Sequence, residues 1–490
     1  MAVCGLQPHP YHALIAFFLK VFAITVGYMP MQQMILIIVC SDVMPEVSVS
    51  SVRMPDYAIC AANATVSATA ASWSLSQQLF ESVPSLFVIC IAGYFLDKYG
   101  RTSAMILSAL SVLFTAVTTL TVAVIVEHEI EGYSASALLY ALLTAAGFSG
   151  IAGGLVLFRT ACSAYLSDTT LPATRTRYFL LLDAAMSVAI TGGPLIGGSL
   201  ANTLGFTYTF GVTLGISLLL LVHLLFIFPS SQTHSEPSNQ TNETKSAVQA
   251  FMDSIKATVD TLKSICKFKT ALALITILTI IGFLLAGAQV FFLFYTGKLF
   301  GWTSLDFGKF ALFAASQKIL WLSVLLPSFL AFIQSRGGDK IIWEIRILRV
   351  GIFVATVGEL CYAFAPTSNL FMLCSLFASF SCFAGPTIRS LLSTLVPPSH
   401  QGRLFASIQI FESAAAIVAT AALNLIFQKT VNFMPNAVFL SMSALLVVAF
   451  VLSLWAVGKE GVLGMEGGGV SHTEVEVVAT EETPLLGQDV

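Results

Sequence analysis

The stretch Gly93–Arg101, GYFLDKYGR, decides how this chain is organised. One apolar run, Trp73–Leu96, leads into it, and a second, Met105–Val126, leaves it. Each run is long enough to cross a lipid bilayer, which takes about 20 mostly apolar residues. The polar residues between them therefore predict a very short turn between two membrane-spanning helices. The plain alternative is that any membrane protein contains short polar turns that hold both signs of charge.

Four residues give this turn its character. Gly93 and Gly100 allow a tight turn and a close approach of the two helices. Asp97 and Arg101 are spaced so that one can cap a helix end while the other pairs across the turn. The pattern resembles the G-x-L-x-D-x-x-G-R loop that the major facilitator superfamily carries between its second and third helices. The second basic residue of that loop is Thr102 here.

The composition excludes a soluble domain. Of the 490 residues, 56% are hydrophobic and only 10% are charged, whereas soluble domains carry about 25% charged residues. The basic residues are few and scattered, which excludes a nucleic-acid surface. The surroundings of this chain are therefore lipid, and its partners are a bilayer and small molecules.

Runs of this length without alternation are helices, because backbone polar groups in lipid must be satisfied internally. The first run, Ala13–Cys40, is too long and has too few preceding basic residues for a cleavable signal peptide. The sequence predicts an all-α membrane protein with twelve transmembrane segments: 12–39, 73–96, 103–126, 135–158, 178–201, 206–229, 271–295, 308–333, 345–365, 368–390, 403–427 and 434–457.

These segments divide into two six-helix halves. We expect an amino-terminal half over 1–229, a polar and then lysine-rich cytosolic linker over 230–270, a carboxy-terminal half over 271–457 and a disordered tail over 458–490. Such paired halves are the architecture of many secondary transporters. With both termini in the cytosol, most of the 23 lysines and arginines lie on the cytosolic side, as the positive-inside rule requires.

Cysteine usage predicts no metal site, because the nine cysteines show no zinc-binding spacing. Cys40 and Cys60 are the pair of cysteines that shares the compartment outside the cytosol. They can form a disulfide or remain as two free thiols, and the sequence leaves both alternatives open. On the same side, Asn63 begins the sequon Asn-Ala-Thr, which predicts a glycosylation site.

The tail ends in a candidate sorting signal. Glu481, Leu485 and Leu486 have the spacing of an acidic dileucine signal, which adaptor complexes read for delivery to lysosomes or vacuoles. The alternative is an incidental leucine pair and a plasma-membrane location.

Ionisable residues inside spans are the candidate transport residues, since each costs about 2.5–3.5 kcal/mol to insert on translocon scales. They suit pairing across a polar cavity or proton loading, and the alternative is structural ion pairing. The basic members are Lys20, Arg159, Lys318 and Arg389, and the acidic ones are Glu81, Asp183, Glu359 and Glu412.

The fifth span carries a small-residue motif over Ala189–Gly198. Gly193, Pro194, Gly197 and Gly198 weaken the helical hydrogen-bond ladder and let a neighbouring helix pack closely. The motif resembles the G-x-x-x-G-P-x-x-G-G sequence of antiporters in the same superfamily. The alternative is tight packing without a role in coupling.

The junction of the tenth and eleventh spans narrows the resemblance. Gly385–Val396 and Gln401–Ala406 are similar to the proton-coupled folate transporter family, and Phe179–Ala184 is similar to the start of its fifth helix. The resemblance implies that Asp183 takes part in proton coupling and that Arg389 binds protons or substrate. It also implies a gating role for Asp97 and Arg101.

Together these features predict a twelve-helix transporter of the major facilitator superfamily that needs no cofactor and is not an enzyme. No ATP-binding loop is present, so an ion gradient supplies the energy. We expect proton symport of a small organic anion, with Glu412 joining Asp183 and Arg389 in coupling and Lys20, Arg159 and Lys318 in the cavity. The alternatives are a proton-coupled drug or metabolite antiporter and a receptor with a transporter fold.

Overall fold

The computed structural model describes residues 9–44, 57–128, 130, 132–170, 172–229, 269–326, 328, 340–393 and 401–457, and every regular element within them is a helix. The amino-terminal half contains α1 (Pro10–Val43), α2 (Tyr57–Ala62), α3 (Ala64–Tyr99), α4 (Arg101–Glu127), α5 (Ala135–Ile151), α6 (Gly154–Thr169), α7 (Pro172–Thr203) and α8 (Phe206–Val222). A π-helical turn, His223–Ile227, continues α8.

The carboxy-terminal half is built in the same way. It contains α9 (Lys269–Phe300), α10 (Ser304–Leu320), α11 (Lys340–Phe364), α12 (Ser368–Ala378), α13 (Ala384–Ser393), α14 (Gln401–Thr430) and α15 (Ala437–Ala456). A π-helical turn, Trp321–Leu325, continues α10, and a 3₁₀ turn, Ser379–Phe383, joins α12 to α13. The predicted linker, the tail and its residues Glu481, Leu485 and Leu486 lie outside the described residues.

The all-helical membrane architecture is confirmed. Within the described ranges, nine spans are long and apolar enough to cross a membrane, which does not confirm the predicted count of twelve. The predicted spans 73–96, 308–333 and 403–427 are not among the nine.

Three boundaries differ from the prediction. The second span begins at Ala64 rather than at residue 73, because the small and polar residues that precede Trp73 continue the helix. The fourth span breaks between α5 and α6, where Gly153 and Gly154 have φ of +77° and +50°. Residues other than glycine rarely adopt such positive φ angles. A 3₁₀ turn interrupts the tenth span in the same way.

Successive long helices run in opposite directions, so their ends gather at two faces of the bundle. We call the face that holds α2 the α2 end, and the face that holds Gly100, between α3 and α4, the Gly100 end. Gly100 has φ of +84° and lets α4 start directly after α3. Next to it, Arg101 Nε lies 2.6 Å from an Asp168 carboxylate oxygen at the end of α6, which ties the predicted gating turn to the fourth span.

Covalent and polar contacts order the α2 end. A disulfide joins Cys40 to Cys60, so the structure resolves the question that the sequence leaves open. Asn63 is the N-cap of α3: its Oδ1 accepts hydrogen bonds from the backbone N–H groups of Thr65 at 2.9 Å and Val66 at 3.3 Å. These two features fix α2 between α1 and α3.

Buried apolar side chains form two clusters, and only one of them crosses between the halves. The larger cluster contains Leu36 and Val66 from the α2 end of the amino-terminal half together with Phe427 of α14. The smaller cluster, which contains Phe17 and Leu96, consists only of amino-terminal residues nearer the Gly100 end. Within the described residues, the halves therefore share their core at the α2 end.

The closest approach of the halves is between α7 and α10. A Cβ atom placed on Gly308 would lie 2.6 Å from Leu195 Cα, and one placed on Gly198 would lie 2.6 Å from Leu305 Cα. Real Cβ atoms essentially never come this near to a backbone atom. The two helices therefore need glycine at both positions.

Hydrogen bonds reinforce this junction. The backbone N–H of Ser304 donates to Gln33 Oε1 of α1 at 3.0 Å. The hydroxyl of Tyr57 in α2 donates to the carbonyl of Trp302 at 2.9 Å. The start of α10 is thus held by three elements of the amino-terminal half.

We expect Gly308→Val to destabilise the protein by about 1–3 kcal/mol, because the new side chain must push the α7 backbone away. Thermal unfolding of the purified protein in detergent measures this. Gly192→Ala in α7 is the control, since nothing lies within 4 Å of a Cβ there. Equal melting temperatures of the two variants would contradict the predicted contact.

Asp306, in the first turn of α10, predicts a pH dependence. Burial alone would raise the pKa of Asp306, but hydrogen bonds from the Thr303 N–H and hydroxyl and from Lys309 outweigh it and lower the pKa below its usual value. The carboxylate therefore stabilises the fold above its unfolded-state pKa, and this contribution disappears as the pH falls through the folded-state pKa.

We expect Asp306→Asn to reduce stability at neutral pH by about 1 kcal/mol or less, the value of an exposed helix cap. The melting temperatures of the variant and the wild type should converge in strongly acidic buffer. The exposed Asp42, at the end of α1, offers Asp42→Asn as the control. A difference that stays constant down to acid pH would show that the charge of Asp306 is not the cause.

Candidate functional site

An ion pair joins the fourth and fifth spans in the amino-terminal half. Arg159 of α6 lies 2.7 Å from an Asp183 carboxylate oxygen of α7, and the two side chains are 47% and 61% exposed. Both residues lie on the parts of their helices towards the Gly100 end. Because both side chains are exposed, their charges are accessible to a ligand. An exposed pair of this kind also contributes little to stability.

A second ion pair lies in the carboxy-terminal half. Arg389 of α13 lies 3.4 Å from a Glu412 carboxylate oxygen of α14, with the arginine 52% and the glutamate 14% exposed. The structure therefore brings together two couples of predicted residues, Arg159 with Asp183 and Arg389 with Glu412. Each half contributes one accessible arginine that is paired with a carboxylate.

The glycine motif of α7 packs against two helices. Cβ atoms on Gly193 and Gly197 would collide with Thr25 and Val26 of α1, while Gly198 and Pro194 face the start of α10. The hydroxyl of Thr25 also donates to the carbonyl of Ala189 at 2.9 Å. These contacts place the motif at the junction of the two halves.

Lys20 is buried inside the amino-terminal half, at 0% exposure. Its Nζ donates to the carbonyl of Ser108 at 2.7 Å, to the Ser108 hydroxyl and to the carbonyl of Gly154 at 3.1 Å. It also lies 4.8 Å from the centre of the Phe158 ring. At the break in the fourth span, the Gly154 carbonyl thus accepts a hydrogen bond from a buried ammonium group.

Glu81 of α3 lies on the other side of the same break. Its Oε1 accepts a hydrogen bond from the Ser149 hydroxyl at 3.0 Å, and it would lie 3.6 Å from a Cβ placed on Gly154. Sequence analysis missed the partners Ser108 and Ser149, since serines are common in membrane helices. The only available signal was the Gly153-Gly154 pair within an apolar run.

Glu81 also lines a cavity within the amino-terminal half, formed by α1, α3, α4, α5, α6 and α8. Its volume is about 100 Å³, and it is not fully enclosed. Two buried polar atoms on its wall, Gln77 Oε1 and the Tyr28 hydroxyl, have no hydrogen-bond partner. The cavity therefore has unused hydrogen-bonding capacity.

The carboxy-terminal half has a second cavity of about 100 Å³ between α9, α11, α15 and the 3₁₀ turn Ser379–Phe383. Glu359 lies on its wall and interacts electrostatically with Lys318 of α10. Lys20 and Lys318, both predicted to lie in a cavity, thus each interact with a partly buried glutamate within their own half.

Of the predicted gating residues, the structure describes only the backbone of two. Gly93 and Asp97 lie in the last turns of α3, and only their backbone is described. No group of three or more His, Cys, Asp or Glu side chains that could hold a metal ion occurs in the part of the chain that the structure describes.

Comparison with known proteins agrees with this architecture. The family profile of the Major Facilitator Superfamily matches residues 13–420. The chicken (Gallus gallus) lysosomal proton-coupled steroid conjugate and bile acid symporter SLC46A3 is 25% identical over 393 residues, which cover 78% of this chain and 79% of that protein. The rat (Rattus norvegicus) proton-coupled folate transporter is 26% identical over 385 residues, or 78% of this chain and 77% of that protein.

Among solved structures, the human organic anion transporter MFSD10 (TETRAN) superposes with a TM-score of 0.57 at 16% identity. The superposition covers 91% of this chain and 100% of that one. At this identity the likeness concerns the fold alone.

The buried charge of Lys20 and the exposed charge of Arg159 should respond differently to mutation. We expect Lys20→Met to destabilise the protein by on the order of 3 kcal/mol, because it removes the counter-charge of Glu81 and leaves buried acceptors unpaired. Arg159→Gln should change stability by less than about 1 kcal/mol, because its pair is exposed. Thermal unfolding of both purified variants gives the comparison, and an equal loss in the two would refute this division.

Proposed function

The chain belongs to the major facilitator superfamily, and on that premise we propose that it carries a small organic anion across the membrane together with protons. Membership makes it a membrane transporter rather than an enzyme. The observation that supports anion transport is the pair of accessible arginines, Arg159 and Arg389, one in each half. The relatives whose printed names describe a proton-coupled steroid conjugate and bile acid symporter and a proton-coupled folate transporter agree with it.

The carboxylate partners supply a route to coupling. In the absence of solute, Asp183 and Glu412 neutralise the two arginines. A proton that binds to either carboxylate removes its charge and frees the arginine, which can then form charge-assisted hydrogen bonds with a carboxylate or sulfate group. Proton and anion thus bind together and leave together, as symport requires.

The shared core at the α2 end fits one state of an alternating-access cycle, in which the halves rock about a midplane site. The α2 end is closed by α7 and α10, and the exposed arginine pairs lie towards the other end. The state described is therefore open at the Gly100 end, with Asp97 and Arg101 in the loop that controls it.

The disulfide supports an orientation. Cys40 and Cys60 lie at the α2 end, and disulfides persist in compartments outside the cytosol. The α2 end then faces the lumen or the exterior, Asn63 is available for glycosylation, and both termini and the Gly100 end face the cytosol. The distribution of lysines and arginines gives the same orientation.

A lysosomal or vacuolar membrane fits these properties. The chicken relative is lysosomal by its printed name, and Glu481, Leu485 and Leu486 match a dileucine signal that an adaptor complex would read. In such an organelle, protons move down their gradient into the cytosol and take the anion with them. Delivery to the plasma membrane is the alternative.

A proton-coupled antiporter is the second candidate, on the strength of the glycine motif in α7. The contacts of that motif with α1 and α10 explain its glycines by close packing. The motif is therefore compatible with antiport, but it does not distinguish antiport from symport. The direction of flux against an imposed proton gradient separates the two. A receptor with a transporter fold would bind a solute without ever releasing it on the opposite side.

The test uses proteoliposomes with an acidic lumen and labelled taurocholate or folate as the probe. We expect efflux to the outside to collapse with a protonophore and to fall on the order of tenfold in Asp183→Asn, a size typical of coupling free energies. Asp42→Asn, an exposed acid far from both pairs, is the control. Efflux of both probes that is indifferent to the protonophore and to Asp183→Asn would overturn proton symport.

A further inference from the structure

The transport mechanism above uses neither Lys20 and Glu81 nor Lys318 and Glu359. Lys20 and Glu81 attract each other electrostatically inside the amino-terminal half. They make no direct ion pair within 4 Å: the Lys20 ammonium is held by Ser108 and by the Gly154 carbonyl, and the Glu81 carboxylate is held by the Ser149 hydroxyl. Two opposite charges thus face each other across a break in a helix.

The anchoring of the two charges is unequal. Lys20 has three hydrogen-bond acceptors and an aromatic face around it, so its charge is well satisfied. Glu81 is partly buried and has a single neutral side-chain donor, and a carboxylate withdrawn from water costs free energy unless it is paired or fully hydrogen-bonded. Glu81 is therefore the member of the pair that can change its charge at the smaller cost.

The surroundings of Glu81 give it access to protons. It lines the partly open cavity of about 100 Å³, beside the unpartnered Gln77 Oε1 and Tyr28 hydroxyl. The lining is mostly apolar, but a cavity of this size has room for water molecules that can make hydrogen bonds to these polar atoms. Protons can then reach the carboxylate without crossing the apolar core.

We propose that Glu81 is a proton-binding site inside the amino-terminal half, and that its charge controls the break in the fourth span at Gly153 and Gly154. This rests on the proposed function, since it gives a proton-driven transporter a second proton site apart from the Asp183 pair. A proton from cavity water forms an O–H bond with a Glu81 carboxylate oxygen, and Lys20 keeps its own proton.

Neutralisation of Glu81 removes the attraction that draws the Lys20 ammonium towards the break. Lys20 then depends only on the Ser108 and Gly154 acceptors, and Gly153 and Gly154 are residues whose backbone can rearrange at low cost. The α6 helix that starts at this break also carries Arg159. Protonation of Glu81 thus reaches the solute-binding arginine through one rigid helix.

The helices packed against α3 contribute few other charges to this site. Tyr28 of α1 interacts electrostatically with Glu81, and Cys162 of α6 interacts with Lys20. Arg159 of α6 and Glu412 of α14 have ion-pair partners of their own. The pH response of the break is therefore assigned to Glu81.

Two measurements on the full-length protein in nanodiscs, without solute, test the proposal. Infrared difference spectra between mildly alkaline and mildly acidic buffer should show a protonated-carboxyl band that is lost in Glu81→Gln. Ser149→Ala should shift that band, because it removes the hydrogen bond to the carboxyl group. The shift identifies the residue even if Glu81→Gln folds poorly.

Hydrogen–deuterium exchange reports on the break itself. Peptides that contain Gly153 and Gly154 should exchange several-fold differently at the two pH values in the wild type, and equally at both in Glu81→Gln. Glu359→Gln is the matched control, since it removes a partly buried, cavity-lining glutamate in the other half, and it should retain the difference at the break.

A carboxyl band that survives unchanged in Glu81→Gln, or pH-dependent exchange that is the same in Glu81→Gln as in the wild type, overturns the proposal. Neither measurement needs a transported solute. A loss of both signals in Glu81→Gln therefore upholds this site even where efflux of taurocholate and folate fails, and that failure counts against the proposed function alone.

Discussion

The backbone contact between α7 and α10 is the constraint on which the rest of the structure depends. In lipid there is little hydrophobic gain from pressing two helices together, so close van der Waals packing of small residues has to hold them. Gly198 and Gly308 provide it at the α2 end, where the halves share one apolar core. Because the junction lies at one end, the other end is left for exposed charges such as Arg159 and Arg389.

The charged residues fall into two groups with different physical roles. The arginines of the pairs Arg159–Asp183 and Arg389–Glu412 are accessible, and each is held to its carboxylate by a single contact of 2.7 or 3.4 Å, so a ligand can replace the carboxylate at either arginine. Lys20 is enclosed and held by several acceptors, so it stays in place. A transporter needs both kinds, because cargo must be released in every cycle while the scaffold that responds to it must persist.

Sequence reasoning predicted the helical membrane fold, because long apolar runs in lipid have hardly any other solution. It also identified Asp183 and Arg389, since ionisable residues are rare in such runs. It named Arg159 and Glu412 as candidates too, but it did not predict the pairing, because the partners lie 24 and 23 residues away on neighbouring helices whose packing only the fold shows. The early start of α3 and the break at Gly153 were missed because small and polar residues dilute the apolar signal there.

The N-cap of α3 has a consequence for how this protein is studied. The same Asn63 side chain that would carry a glycan through its nitrogen also accepts two backbone hydrogen bonds through its oxygen. Replacing it with glutamine, the usual way to abolish N-linked sugar, would also fray the first turn of the second span. Poor folding or trafficking of that variant would then be mistaken for a need for carbohydrate. Removing the acceptor motif at Thr65 instead leaves the cap intact and separates the two effects.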